Sequence, residues 1–510
     1  MLAKILSAAV AGIDAYTVEV EVDLAKGTRS GVTLGLPDAA VKESRERVAT
    51  ALHNSGYTIP NFKTVVNLAP ADTKKEGTCY DLPIALGTLI TSEQIVPVRH
   101  GEIAFIGELA LDGTVRPVRG CLSMTMACRD AGYRGVAVPA ANAAEAAVVD
   151  GIDVFPLKKL PEAAGLVTGR LNIAPQRADR DRLFNEARHY DVDFSEVKGQ
   201  EHVKRALIVA AAGGHHVLMI GPPGSGKTML AQRIPTILPD LVLDEALDST
   251  RIYSVAGLLP AGQALMATRP FRSPHHTASG PALVGGGANP RPGEISLAHK
   301  GVLFLDELPE FPRTVLEVLR QPIEEGVVRI SRAAASVEYP SEFILVAAMN
   351  PCPCGYYTDP TRQCRCTPYQ IQRDVSKISG PLIDRIDIHV EVPRVKYREL
   401  KEGQSGATSD GIRAEVAAAR AVQAERFKRS KVNVNARMSS RQIKKHCELT
   451  AGAERLLGSQ MESENLSARA YTRVLKVART IADLAADPDI KTEHVAEAIQ
   501  YRTLDRDLWA

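Results

Sequence analysis

The chain has 510 residues, 45% of them apolar and 24% charged, with a formal net charge of +2. That balance fits a soluble globular protein of about two to four domains with sizeable cores. The near-neutral charge excludes nucleic-acid binding through bulk positive charge, so any basic surface is local, and no apolar run is long enough to cross a bilayer.

At the start, "MLAKILSAAVAGIDAY" has a short apolar run followed by Asp14, which predicts a buried first strand rather than a leader. "TVEVEVDL" alternates with period two, as a half-buried strand should. "GLPDAAVKESRERVATALHNSG" predicts a helix closed by Gly56. "TVVNLAP", "IAFIGEL" and "GVAVP" follow as short strands, so residues 1–173 are expected to form an α+β domain. Residues 174–192 are polar and charged and are read as a linker. From "DFSEVKGQEHVKRAL" onward, the apolar strands "HHVLMI", "GVLFLDE" and "FILVAAMN" alternate with helical stretches, the pattern of a parallel α/β sheet over 193–395. A flexible "GQSGATSD" lies at 403–410, and the remainder of 396–510 is read as helical. No internal repeat is evident.

"GPPGSGKT" supplies Gly221, Pro222, Pro223, Gly224, Ser225, Gly226, Lys227 and Thr228 between an apolar strand and a helix. This is a phosphate-binding loop. Backbone N–H groups and the helix N-terminus hold phosphate oxygens, Lys227 reaches the β/γ-phosphates of ATP and Thr228 holds Mg²⁺. "GVLFLDEL" ends an apolar strand in Asp306, a Mg²⁺ partner, and Glu307, a general base for the attacking water. Asn350 ends the next strand and is placed to position that water. Arg385 lies in "GPLIDRIDIHV"; it is either a local ion pair or an arginine finger for a neighbouring subunit's ATP. Arg469, near the start of a C-terminal helix, is expected to sense the γ-phosphate in cis.

"CPCGYYTDPTRQCRC" carries Cys352, Cys354, Cys364 and Cys366. Structural Zn²⁺, disulfides and free thiols are the alternatives. Four thiolates fill zinc's tetrahedral shell and leave no open catalytic position, although Cys-x-Cys is tighter than the usual zinc knuckle. The stretch is read as a zinc staple between two ATP-sensing elements. Cys79, Cys121, Cys128 and Cys447 are scattered, which suits a reducing cytoplasm.

The order of phosphate loop, Asp-Glu, Asn, Arg and a final helical Arg resembles an AAA+ ATPase. "RPFRSPHHTASGPALVGGGANPRPGEISLAHKGVLFLDELPEF" at 269–311 is similar to the signature of the magnesium-chelatase-like branch. Within that branch, nearly the whole chain resembles the YifB/ComM family. The resemblance implies an α/β protein in three parts. These are an N-terminal Lon-protease-like domain of the ribosomal S5 domain 2-like type, an AAA+ P-loop NTPase core with a parallel sheet, and a C-terminal helical lid of the magnesium-chelatase type. It gives Lys227 and Thr228 the Walker A role, Asp306 and Glu307 the Walker B role, Asn350 that of sensor 1, Arg385 that of arginine finger and Arg469 that of sensor 2. It also implies an ATP-dependent homo-hexamer and, for ComM-type members, a DNA helicase driving branch migration during natural transformation. Single-stranded or branched DNA and recombination proteins are the implied partners.

"APADTKKEGTCYDLPIALGTL" and the segment 107–139 resemble the proteolytic domain of Lon. That chemistry needs a Ser nucleophile and a Lys base. The Ser position falls on Cys79 and the Lys position near Leu122, with no Lys in 112–132, so protease activity is not expected. For DNA, a hairpin at 326–340 is expected to carry Arg329 and Arg332 near its tip, and the 269–294 insert carries Arg269, Arg272, His275, His276 and Arg291. Lys300 and the basic run 426–445 are further candidates. The competing reading is a magnesium-chelatase-like or Lon-like ATPase that remodels a partner protein.

Overall fold

Residues 217–220, Val-Leu-Met-Ile, are buried on both faces in the strand Val217–Ile220, as a strand covered by helices on both sides must be. In the computed structural model this strand sits inside a parallel five-stranded sheet. Its order is Phe271–Arg272, Val302–Leu305, Ile344–Met349, Val217–Ile220, Ile388–Glu391. The structure describes the chain except residues 1, 26–29, 60–61, 180–181, 185–187, 261–262, 288–289, 333–334, 358, 360–361, 396–405, 431, 465–466 and 503–510. Parts of the expected linker and of the 403–410 stretch therefore lie outside the described residues.

The first part of the chain builds a separate seven-stranded sheet. Ala3–Ala11 pairs antiparallel with Asp14–Ala25 in a continuous register from Ala3 opposite Val22 to Ala11 opposite Asp14. Helices Ala39–Asn54, Asp81–Thr91 and Cys121–Asp130 cover it. The Asp38 side chain caps the first of these by accepting from the Val41 N–H at 2.8 Å. "IAFIGEL" is not one strand but two, Ile103–Phe105 and Glu108–Leu109. Gly107 turns between them; a Cβ there would meet Val115 Cγ1 at 2.7 Å, and its N–H donates to Cys79 O.

The C-terminal part is helical, with Ser409–Phe427, Ser440–His446, Ala451–Glu464, Ala468–Leu484 and Thr492–Gln500. Its apolar faces join those of the parallel sheet in one core that includes Val217, Val346, Val416, Val474 and Ile481. This mixed α/β architecture, a parallel sheet followed by a helical C-terminal region, agrees with the fold class expected from the sequence. The N-terminal sheet docks on the core through its Ala11–Asp14 turn. Arg251 Nη2 donates to Ile13 O at 3.3 Å and pairs with Asp14, and Ile13 joins the apolar cluster around Ile252. No helix among the described residues is long and apolar enough to cross a membrane.

Candidate nucleotide site and cysteine knob

The phosphate loop is shaped by Gly224 at φ 73° and Gly226 at φ 92°, left-handed backbone that glycine adopts without a Cβ clash. Lys227 then opens the helix Lys227–Ile237. Its ammonium folds back into the loop, donating to Gly221 O at 2.7 Å, Pro222 O at 3.1 Å and Asn350 Oδ1 at 3.2 Å. Burial lowers the Lys227 pKa against the opposing pull of Asp306 and Glu307. Thr228 Oγ1 donates to Asp306 Oδ2 at 2.8 Å. Ser225 Oγ is buried with no hydrogen-bond partner among the described residues, an orphan that a phosphate oxygen would satisfy.

Three parallel strands therefore bring Lys227, Thr228, Asp306 and Asn350 to one edge of the sheet, where strand C-terminal ends meet a helix N-terminus. The donor set suits a nucleotide triphosphate with its magnesium: cation and N–H groups for phosphate, hydroxyl and carboxylate for the metal. Glu307 follows at φ 53°, a conformation that costs about 1–3 kcal/mol for such a residue and gathers at functional sites.

One neighbour of Glu307 was not assigned to this site from the sequence. His276, read there as a polymer contact, places Nδ1 3.3 Å from Glu307 Oε2. Its ring lies 4.1 Å from that of His275. The insert 269–294 thus touches Glu307, beside Asp306. No local pattern announces this contact, because it joins segments thirty residues apart through the fold.

Arg385 and Arg469 are each held within the chain, and Arg469 contacts Asp384, the residue before Arg385. Arg385 pairs with Glu324 and donates to Pro381 O at 2.6 Å. Arg469, 68% exposed, lies 3.3 Å from Asp384. Among the described residues no contact joins either arginine to the Lys227–Asp306 group. Between them and the core runs a buried network. His215 Nδ1 is 2.9 Å from Asp387 Oδ2, His215 Nε2 is 2.8 Å from Thr480 Oγ1, and Arg473 pairs with Asp387.

Burial pushes the Asp387 carboxyl up, but Arg473 and His215 hold it well below the usual carboxylate range. A depressed folded pKa contributes stability above the unfolded value and loses it as pH falls through the acid range. Asp387→Ala is expected to destabilise the protein by about 3–5 kcal/mol at neutral pH, since it leaves Arg473 charged and unpaired. Denaturant unfolding checks this, and the difference from the parent should shrink in acid.

The cysteine stretch forms a knob beside the phosphate loop. Cys352 and Cys354 sulfurs are 3.3 Å apart, Cys352 and Cys364 3.7 Å, and Cys354 and Cys364 3.6 Å. These three sulfurs and that of Cys366 all lie within 4.8 Å of one another. These spacings exceed the ~2.05 Å of a disulfide and match sulfurs held about 2.3 Å from a tetrahedral zinc. Burial pushes Cys352 up to about 12 and raises Cys366, whereas at Cys354 burial is outweighed by N–H donation from Arg365 and Tyr356, which lowers the thiol to about 6. Gly355 packs on the phosphate loop: a Cβ there would meet Pro223 Cδ at 2.5 Å.

The cations singled out for DNA contact are mostly engaged within the chain. Arg269 donates to Pro239 O and Lys300 O and pairs with Glu245 at 3.2 Å. Arg272 chelates Glu294 at 2.6 and 2.8 Å. Lys300 lies 2.5 Å from Glu342. Arg329 is not near the hairpin tip but in mid-strand, opposite Glu338 and 2.6 Å from it, with Glu325 on its other side. Arg332 ends that strand opposite Ala335, and its side chain lies outside the described residues. In the N-terminal sheet, Cys79 is buried with its thiol pushed up to about 12 by desolvation, and Leu122 is buried. A thiol so raised is a poor nucleophile.

Comparison with known proteins agrees with this geometry. Residues 193–400 match the family described as magnesium chelatase, subunit ChlI. Residues 20–142 match subunit ChlI of Mg-chelatase, and 406–502 the ChlI C-terminal family. The chain is 43% identical over 509 residues to the protein YifB of Salmonella typhimurium, covering 99% of this chain and 98% of that one. It is 42% identical to the competence protein ComM of Haemophilus influenzae, with the same coverage. To the magnesium-chelatase subunit ChlI of Cyanidium caldarium it is 25% identical over 41% of this chain and 59% of that one. Full-length likeness to YifB and ComM, with all three chelatase-type segments in order, shows that this chain belongs to the YifB/ComM family of magnesium-chelatase-like AAA+ ATPases.

Proposed function

We propose that this protein is an ATP-driven DNA motor: a ring-forming helicase, hexameric, that promotes branch migration when incoming DNA recombines during natural transformation. The observation that carries the reading is the convergence of Lys227, Thr228, Asp306 and Asn350 at one sheet edge, with Glu307 next in the chain. Lys227 binds and orients phosphate, Thr228 and Asp306 hold the magnesium that accompanies ATP, Asn350 orients the water and Glu307 takes its proton. The DNA side is supported by the full-length similarity to a competence protein. Arg385 acts as an arginine finger on the ATP of a neighbouring subunit and Arg469 senses the γ-phosphate in cis; in this structure Arg469 contacts Asp384, the residue before Arg385. Cys352, Cys354, Cys364 and Cys366 hold a structural zinc that braces the phosphate loop through Gly355. The N-terminal domain, with Cys79 inert, serves as a scaffold and not as a protease.

Partner remodelling of the chelatase type is the second reading, favoured by the family match over 193–400. Strand displacement on a branched DNA substrate separates the two: ATP-dependent displacement supports the motor, and its absence together with DNA-independent turnover supports remodelling. For the hairpin, phosphate must displace Glu325 and Glu338 from Arg329. Changing Arg329 and Arg332 to Ala is therefore expected to weaken DNA binding less than about tenfold, since exposed pairs are worth about 0–1 kcal/mol, while ATP binding stays intact. Anisotropy with labelled DNA checks both.

A further inference from the structure

The cations engaged by carboxylates contrast with a group of exposed arginines in the cysteine stretch and the helix that follows it. Arg362, Arg365 and Arg373 are exposed, and none has a carboxylate partner among the described residues. Arg362 stacks 4.1 Å from the centre of the Tyr356 ring and donates to its hydroxyl at 2.7 Å. Arg365 lies between the metal-type ligands Cys364 and Cys366. The helix Pro368–Val375 follows at once, capped by Thr367, which accepts from the Gln370 N–H. Tyr369 and Arg373 are four residues apart on that helix, and so on one face. Tyr369 is 72% exposed.

We propose that this surface, carried by Arg362, Arg365, Tyr369 and Arg373, is a contact site for single-stranded nucleic acid. The proposal rests on the DNA-motor reading and adds a site to it. The chemistry fits the polymer in both its parts. Guanidinium groups without a carboxylate partner take backbone phosphates, and a bare ring offers a platform for an unpaired base, sequence-tolerant because every base has a π-face. Duplex DNA hides its base faces, so the ring favours the single strand. An acidic peptide would use the arginines and leave the ring idle. The location adds a consequence: the knob's inner side packs on Pro223 of the phosphate loop through Gly355. A strand held outside therefore bears on the element that holds ATP inside.

The test uses the full chain and a labelled oligothymidylate, followed by anisotropy across a salt series. Tyr369→Ala is expected to weaken binding about 5- to 150-fold, with Tyr369→Phe restoring it, because stacking of one base is worth about 1–3 kcal/mol. The double variant Arg365→Ala, Arg373→Ala should flatten the slope of log affinity against log salt by about 1.4, the loss of two single-strand phosphate contacts. Unchanged ATP-analogue affinity and zinc content show that the knob is folded; all three side chains are exposed, so no core packing is removed. Wild-type affinity and slope in these variants, with the parent binding well, overturns the site and leaves the motor standing. A parent that binds no oligonucleotide overturns both. An acidic peptide that binds through the arginines and ignores Tyr369 reassigns the surface to a protein partner and also overturns the proposal.

Discussion

Replacing Glu307 by glutamine is expected to lower ATP turnover by about 10²–10⁴-fold, the usual contribution of a positioned general base, while leaving ATP affinity within a few-fold. The amide keeps the shape of the side chain but cannot take a proton from water. The grounds are positional. Glu307 follows the magnesium-type Asp306 directly, and its φ of 53° places it in a turn that few glutamates adopt. Lys227→Ala should behave differently, losing affinity as well as turnover, because Lys227 fills the loop where phosphate sits. Single-turnover hydrolysis beside nucleotide binding separates the two. A Glu307→Gln protein that hydrolyses ATP at the parent rate would remove Glu307 from the base role.

Cys352→Ser or Cys364→Ser is expected to yield a protein depleted of zinc, with ATP affinity and turnover both reduced, although neither cysteine does chemistry. A structural zinc contributes about 10–16 kcal/mol to the fold of its loop, so loss of one thiolate opens the loop. The damage reaches the nucleotide because Gly355 packs on Pro223 and because Asn350, two residues before Cys352, is hydrogen-bonded to Lys227 at 3.2 Å. Metal analysis and ATP-analogue binding on the same preparation check this. A zinc-free variant with full ATP affinity and turnover would show that the knob does not brace the site.

The grouping of Lys227, Thr228, Asp306 and Asn350 was legible where these residues signal within a few positions of chain. A strand, a Gly-rich loop and a helix around Lys227, an apolar strand ending in Asp306 and Glu307, and a strand ending in Asn350 are local patterns, and the fold only had to make the strands adjacent. The paired cysteines were equally local. What the sequence left open are contacts made by topology. His276 meets Glu307, Gly355 meets Pro223, Arg385 meets Glu324 and Arg469 meets Asp384 across separations that no periodicity encodes. Arg329 shows the same limit at short range. Its basic character was visible, but register sets it in mid-strand opposite Glu338. The "IAFIGEL" stretch misled for the opposite reason: its apolar content reads as one strand, while close packing against Gly107 breaks it in two.

The central claim, that ATP hydrolysis here drives work on DNA, is tested most directly by the steady-state ATPase rate of the wild-type chain with and without single-stranded DNA. The account predicts a rate that rises with DNA and saturates, the rise disappearing in Glu307→Gln. An ATPase rate indifferent to single-stranded, duplex and branched DNA alike would contradict it.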